Sequence, residues 1–134
     1  MEPAIRPENP ELTFAEVRAA LAREPGSFDF FQAVRLLTLA YRERSPVGAF
    51  VTPDREVVRF AANPDLAFPA SQIRDLDTAA QPPRLRVNFF GLQGPHGILP
   101  LAYSELVTER IRSRDHTLTE FFDIFNHRLL SLFY

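Results

Sequence analysis

Residues 84–92, RLRVNFFGL, form the clearest strand pattern in the chain and indicate its fold class. Leu85, Val87 and Phe89 alternate with polar side chains, as in a strand that buries one face. Phe90 interrupts the alternation, which predicts a strand end that is bulged or buried on both sides. The stretch is therefore predicted to be the best strand of a small sheet.

Two weaker strand patterns precede it. Residues 56–61, EVVRFA, place Val58 and Phe60 on one side of a half-buried strand. Residues 72–77 are a second candidate, within which Asp75 and Asp77 fit a solvated edge better than an acid–base pair. Asn-Pro and Pro-Pro turn signals separate the three strands.

Four helices are predicted around this sheet. A capping box of Thr13 and Glu16 opens one over about 14–23, Ser27 caps a second over about 28–44, a third covers about 101–113, and a capping box of Thr117 and Glu120 opens the last over about 118–134. The third helix is predicted to turn Tyr103, Leu106, Val107 and Ile111 inward. Together these elements predict an α+β fold, with about four helices flanking a small sheet of short strands.

The chain is predicted to divide at residue 26. Three prolines make residues 1–11 an extended lead-in, followed by the short first helix, and residues 27–134 form the domain proper. The last residues lack a glycine cap, a basic last turn and a polar tail. We therefore expect the C-terminal helix to be truncated and the chain to be a fragment of a longer protein.

Two helices carry more apolar surface than one buried face needs. On the second helix, Phe28, Leu36 and Leu39 lie opposite the main apolar face, so this helix is either sandwiched in the fold or exposes a docking surface. On the last helix the predicted inner stripe comprises Leu118, Phe121, Phe122, Phe125, Leu129, Leu132 and Phe133. Its polar strip, predicted to face solvent, comprises Glu120, Asp123, His127 and Ser131. The candidate interaction residues are Phe28, Leu36, Leu39, Phe90, Ile124, Leu130, Phe133 and Tyr134.

Composition excludes several classes of function. The 134 residues include no cysteine, which excludes disulfides and thiolate metal sites. All 15 basic residues are arginine, but the net charge is −2 and the arginines alternate with acids, which argues against binding to a phosphate backbone. Apolar stretches fall far short of the ~20 residues of a membrane helix, so a cytosolic protein is expected.

No group of residues indicates catalysis or a cofactor. The three histidines lack metal-ligand spacing, and His127 is expected to be solvated or hydrogen-bonded. The loop from Gly91 to Pro100 lacks the Lys-Ser/Thr of a P-loop, and a tight strand-to-helix connection explains it better. Two alternatives remain open: a small-ligand or regulatory module that uses this loop, and an Arg-rich nucleic-acid binder.

Four stretches, taken in order, resemble one protein family. They are residues 28–37 (FDFFQAVRLL), 58–71 (VRFAANPDLAFPAS), 87–101 (VNFFGLQGPHGILPL) and 121–134 (FFDIFNHRLLSLFY). This pattern is similar to the N-terminal half of the TssG family, also called ImpH or VasB, of the type VI secretion system. The chain departs from the family pattern at His96, Ile98 and Ala102, where a histidine often stands in place of the alanine.

The resemblance implies a structural, non-enzymatic subunit that uses no cofactor. It implies a cytoplasmic wedge component of the baseplate, which assembles with TssF and, through that complex, with TssK and TssE around the spike hub. It implies no binding of nucleic acid and no direct insertion into the membrane. The hydrophobic faces of the helices over 28–44 and 118–134 are the expected docking surfaces.

Overall fold

A computed structural model describes residues 13–134, so the predicted lead-in over residues 1–11 lies outside the described part. The elements are α1 (Phe14–Arg23), a single 3-10 turn (Pro25–Ser27), α2 (Phe30–Ala40), β1 (Arg59–Ala62), β2 (Ile73–Asp77), β3 (Arg84–Val87), α3 (Leu101–Arg112) and α4 (Thr117–Phe133). These four helices and one three-stranded sheet confirm the predicted α+β fold.

The strand predicted over residues 84–92 forms β3 and lies at the centre of the sheet. The strand order is β1-β3-β2, with β1 parallel and β2 antiparallel to β3. Leu85 of β3 pairs with Phe60 on one side and with Leu76 on the other. Both β1 and β2 are therefore edge strands. The outer edge of β1 contacts α4 and determines how that helix packs.

One face of the sheet packs against α1 and α2 to form the core. Leu85 and Val87 of β3 are completely buried, and they join Leu21 of α1 and Phe30 of α2 in a single apolar cluster. Burial of a large apolar side chain contributes about 1.5–3 kcal/mol, so this cluster is the main source of stability. The opposite face carries the alternate, polar side chains of the strands.

The first helix begins as its capping box predicts. The hydroxyl of Thr13 accepts a hydrogen bond from the Glu16 N–H, and the Glu16 carboxylate accepts one from the Thr13 N–H at 2.7 Å. Two amides that a free helix end would leave unpaired are thereby satisfied. The helix packs on α2 and contributes Leu21 to the core.

The second helix is shorter than its predicted span of 28–44. It begins at Phe30, because the carboxylate of Asp29, and not Ser27, accepts the N–H of Gln32 at 2.8 Å. It ends at Ala40, because Ser45 beyond it pairs with the chain near Glu56 and draws the backbone away from helical geometry.

Predictions for the later elements were partly wrong. Strand β1 begins three residues later than predicted, and β3 ends at Val87, where the chain turns away towards α4. The inward face predicted for α3 holds for Val107 but not for Tyr103 and Leu106, which are exposed. The second capping box is not formed, because the first N–H of α4 bonds to the carboxylate of Asp115.

Candidate interaction surface

Helix α4 lies along the open edge of β1 and hydrogen-bonds to it through side chains. The N–H of Phe60 donates to Nδ1 of His127 at 3.0 Å, and the N–H of Ala62 donates to Oδ1 of Asp123 at 3.0 Å. Alternate amides of a strand point to the same edge, and side chains four residues apart on a helix share one face. Phe60 and Ala62 are alternate residues of β1, and Asp123 and His127 are four residues apart on α4. One face of the helix therefore accepts hydrogen bonds from two backbone N–H groups that point away from β3.

Asn126, on the same face of α4, holds the chain that follows β3. Its Oδ1 accepts the N–H of Leu92 at 2.9 Å, while its amide donates to Gln93 at 3.3 Å and to Asp123 at 3.1 Å. Asn126 is completely buried, and a buried amide is stable only when it is paired in this way. This contact explains why the strand ends before Phe89.

His127 is buried and neutral, in contrast to the polar, solvent-facing strip predicted for this side of α4. Because Nδ1 accepts the N–H of Phe60, the ring proton resides on Nε2, which lies 2.9 Å from Oε2 of Glu56. Burial lowers the pKa of His127 to about 4, assisted by the positive charges of Arg59 and Arg128. The expectation that His127 is solvated or hydrogen-bonded holds through its hydrogen bond with Phe60, whereas its predicted place on a solvent-facing strip was wrong.

Burial shifts the pKa values of the two carboxyl groups in these contacts upward, opposite to the shift of the His127 pKa. Burial raises the pKa of Glu56, against the lowering effects of the Arg128 charge and of a hydrogen bond from the Gly48 backbone. Burial also raises the pKa of Asp123, against its hydrogen bonds with Ala62 and Asn126. In both cases desolvation disfavours the charged form.

The outward face of α4 is apolar. Six large side chains on it are at least 40% exposed: Phe121, Ile124, Phe125, Leu129, Leu132 and Phe133. The residues buried beneath the helix are Phe122, Asn126, His127, Leu130 and Ser131, of which three are polar. The stripe predicted to face the core therefore points largely outward, and the strip predicted to face solvent points largely inward. We call the six exposed side chains the α4 outer face.

An aromatic patch continues the α4 outer face at the C-terminal end of the helix. The ring of Phe133 lies 5.6 Å from that of Phe31 and stacks on Phe90 at 6.1 Å. Tyr134 stacks on Phe31 at 5.9 Å. Three of these four rings are more than 40% exposed, so the apolar surface extends from α4 onto the start of α2.

The eight candidate interaction residues fall into three groups. Leu39, Ile124, Phe133 and Tyr134 are exposed. Phe28, Leu36 and Phe90 are partly buried and pack against the core. Leu130 is completely buried in the core, so its assignment to the surface was wrong: it follows His127 by three residues and shares the inward face. Phe121, Phe125, Leu129 and Leu132 were missed, because hydrophobicity alone assigned them to the interior.

The loop from Gly91 to Pro100 is tied to the protein's own atoms. The N–H groups of Leu92 and Gly94 bond to Asn126 and Ser104, and that of Gly97 bonds to the Gly94 carbonyl. A Cβ on Gly91 would lie 2.7 Å from the Ala62 methyl, so glycine here serves close packing within the chain. These contacts favour a strand-to-helix connection over a ligand cradle.

Within residues 13–134, no group of three or more His, Asp and Glu side chains is arranged to hold a metal ion. Over the same residues, no helix is both long enough and apolar enough to cross a bilayer.

The fold and this surface define a small α+β domain that carries a largely apolar helix face on its outside. The family model described as "Type VI secretion, TssG" matches residues 24–134, and the chain belongs to the TssG family. Membership confirms the family resemblance of the four sequence stretches and makes the chain a component of type VI secretion. No curated protein and no solved structure matches it.

Proposed function

We propose that this chain is a structural subunit of the type VI secretion baseplate. In this role it is a wedge component that assembles with TssF, TssK and TssE around the spike hub, at the cytoplasmic side of the inner membrane, without catalysing a reaction. Membership of the TssG family supports the secretion role. The orientation of α4 is the observation that supports assembly through a protein interface.

The α4 outer face exposes six large apolar side chains along one helix. The helix has 17 residues and is therefore about 25 Å long. Beyond Glu120 its exposed side carries six large apolar side chains and the half-buried Arg128, whose guanidinium group lies over the ring of Phe50. Contiguous apolar patches of this kind mark interaction sites, and phenylalanine is enriched at the centres of protein interfaces. Covering this face with a partner stabilises the complex by removing those side chains from water.

The fold cannot cover this face by rotating the helix. A rotation that buried the α4 outer face would remove His127 and Asp123 from the β1 amides and Asn126 from Leu92. Each buried amide left without an acceptor costs about 1–3 kcal/mol. The polar contacts therefore hold the apolar side outward, where a partner subunit reaches it.

Co-expression with TssF tests this proposal. We expect the double variant Ile124→Asp, Leu132→Asp to reduce co-purification by about tenfold or more, because both side chains are well exposed on the α4 outer face and a buried interfacial charge is costly. Ile98→Asp is the matched control: its side chain is 81% exposed but lies in the loop before α3. It should co-purify like the wild type.

The isolated variants should retain the helical circular dichroism of the wild type, since neither side chain contributes to the core. If the folded double variant still co-purifies undiminished, the assignment of the interface to α4 is wrong. The small-ligand alternative has no contact in its favour, because the amides of the Gly91–Pro100 loop named above are already bonded within the chain.

A further inference from the structure

Glu120 and Arg128 lie on one side of α4, four residues before and four residues after Ile124. Residues four apart on a helix lie on the same side, and each step of four advances about 6 Å along the axis. The acid and the base therefore stand at equal distances from a central isoleucine. We call Glu120, Ile124 and Arg128 the α4 charge stripe.

Neither charged group of the α4 charge stripe has an ion-pair partner in the described part of the chain. Among residues 13–134, Glu120 and Arg128 make no ion pair within 4.0 Å. The Arg128 guanidinium group lies over the ring of Phe50, 5.6 Å from its centre, and that ring is 97% exposed. Glu120 is exposed as well. Both charges are therefore at the surface, within reach of another molecule.

A two-fold axis through Ile124 pairs the α4 charge stripe with its own copy. In an antiparallel pair of α4 helices, Glu120 of one copy lies at the level of Arg128 of the other, and symmetry makes this contact twice. A parallel pair would place Glu120 beside Glu120 and Arg128 beside Arg128, where like charges repel. The charge pattern of the helix therefore favours an antiparallel second copy.

Apolar side chains beside the charge stripe supply contact area for such a pair. Ile124, Phe121 and Phe125 are 57%, 53% and 47% exposed, and they lie within one helical turn of the axis. The rings of Phe121 and Phe125 contact each other edge to face at 5.4 Å. Antiparallel pairing brings these rings from both copies towards the two central isoleucines and removes them from water.

We propose that α4 pairs with α4 of a second copy in an antiparallel, two-fold dimer, in which Glu120 of each copy pairs with Arg128 of the other. This inference goes beyond the proposed baseplate role and concerns the chain before it meets its partner subunit. One 17-residue helix from each copy gives a contact at the low end of specific interfaces, so the dimer is weak and a larger partner interface displaces it.

Sedimentation of the full chain over a concentration series tests the proposal. We expect a reversible equilibrium of monomer and dimer with a dissociation constant on the order of 10–100 µM, as for a small, transient interface. Glu120→Arg should weaken the dimer by about tenfold, because both symmetric ion pairs become repulsions. Adding Arg128→Glu to the same chain reverses both charges and should restore the dissociation constant to within about threefold of the wild type.

Glu105→Arg is the matched control, because Glu105 is exposed on α3 and its replacement changes the net charge by the same amount. It should dimerise like the wild type. Arg128→Gln removes the base without placing a new acid near Glu56, and it should weaken the dimer by about threefold. This variant gives a second measurement if the charge-swapped chain does not fold, which a thermal melt verifies.

Three outcomes would overturn the proposal. One is a chain that stays monomeric over the whole concentration series, and another is equal weakening by Glu120→Arg and Glu105→Arg. The third is a folded charge-swapped chain that dimerises no better than Glu120→Arg, which would show that the two charges do not meet across the axis. None of these measurements involves TssF, so a failure here is distinct from a failure of the co-purification test.

Discussion

The backbone N–H of Phe60 donates to Nδ1 of His127 across 67 positions of sequence, at 3.0 Å and in a buried environment. This bond joins the edge strand of the sheet to the last helix and fixes the protonation state of the imidazole. Asp123, one helical turn earlier, repeats the arrangement at Ala62. The orientation of α4, and with it the surface that the protein presents, follows from these two bonds.

Replacing His127 should destabilise the fold more than replacing an exposed histidine. His127→Leu leaves the Phe60 N–H without an acceptor and removes the neighbour of Glu56, so we expect a loss of about 1–3 kcal/mol in the free energy of unfolding. Denaturant titration measures this loss. His116→Leu, at an exposed position before α4, should change stability by less than about 0.5 kcal/mol. Equal effects at the two positions would contradict the role assigned to His127.

The same histidine should make stability depend on pH. Its pKa is about 4 in the folded protein and 6.5 in the unfolded chain, so between these values the unfolded chain binds a proton that the folded protein does not. The contribution of His127 to the free energy of unfolding is therefore fully present above pH 6.5. It is lost as the pH falls towards 4, by about 3 kcal/mol at most. Glu56 and Asp123, whose pKa values are raised, act in the opposite direction, because the folded protein binds their protons more readily.

The contribution of His127 is isolated by comparing the wild type with His127→Gln at each pH. The stability difference between the two proteins should be largest above pH 6.5 and should shrink as the pH approaches 4. A difference that stays constant over this range would show that His127 is already protonated, or never titrates, in both states.

Truncation of two leucines on α4 should change the stability of the protein by very different amounts. Leu130 is completely buried, so Leu130→Ala should cost about 2–5 kcal/mol through lost burial and the cavity left behind. Leu132 is 63% exposed, so Leu132→Ala should change the stability of the isolated chain by less than about 0.5 kcal/mol. Chemical unfolding of the two variants side by side measures both. A larger loss for Leu132 would mean that the helix is rotated from the orientation described above.

Gly97 should not tolerate a side chain. A Cβ there would lie 2.6 Å from the backbone carbon of Gln93, so the loop must shift, and with it the Gln93 contact to Asn126. We expect Gly97→Ala to lower the free energy of unfolding by about 1–3 kcal/mol, as overpacking does. Gly26→Ala is the control, because its Cβ would meet only the side chain of Ser71, at 3.2 Å. Equal decreases in the melting temperatures of the two variants would argue against a special constraint at Gly97.

Most of the fold could be predicted from local patterns. Neighbouring residues determine the capping box of Thr13 and Glu16, the existence of strand β3 and the approximate spans of α3 and α4. The ends of α2 and β3 were wrong, because contacts distant in sequence decide them: Ser45 with the chain near Glu56, and Asn126 with Leu92.

The orientation of α4 could not be predicted from its periodicity. Hydrophobic periodicity assumes that a helix packs its apolar side inward, which fails where the neighbouring surface is a row of backbone donors. Such an edge requires acceptors, so Asp123, Asn126 and His127 point inward and the phenylalanines outward. The spacing of the three acceptors at positions i, i+3 and i+4 was the available signal, and it can be interpreted only once β1 is known to be an edge strand.

The position of α4 along β1 also limits how this protein can associate. An uncovered strand edge acts as a template on which another chain adds a strand, a route both to specific β-augmentation and to aggregation. With the outward amides of Phe60 and Ala62 occupied by side chains of α4, that route is closed at β1. A partner that binds on this side of the molecule must therefore do so through side-chain packing, whose specificity depends on shape and not on backbone pairing.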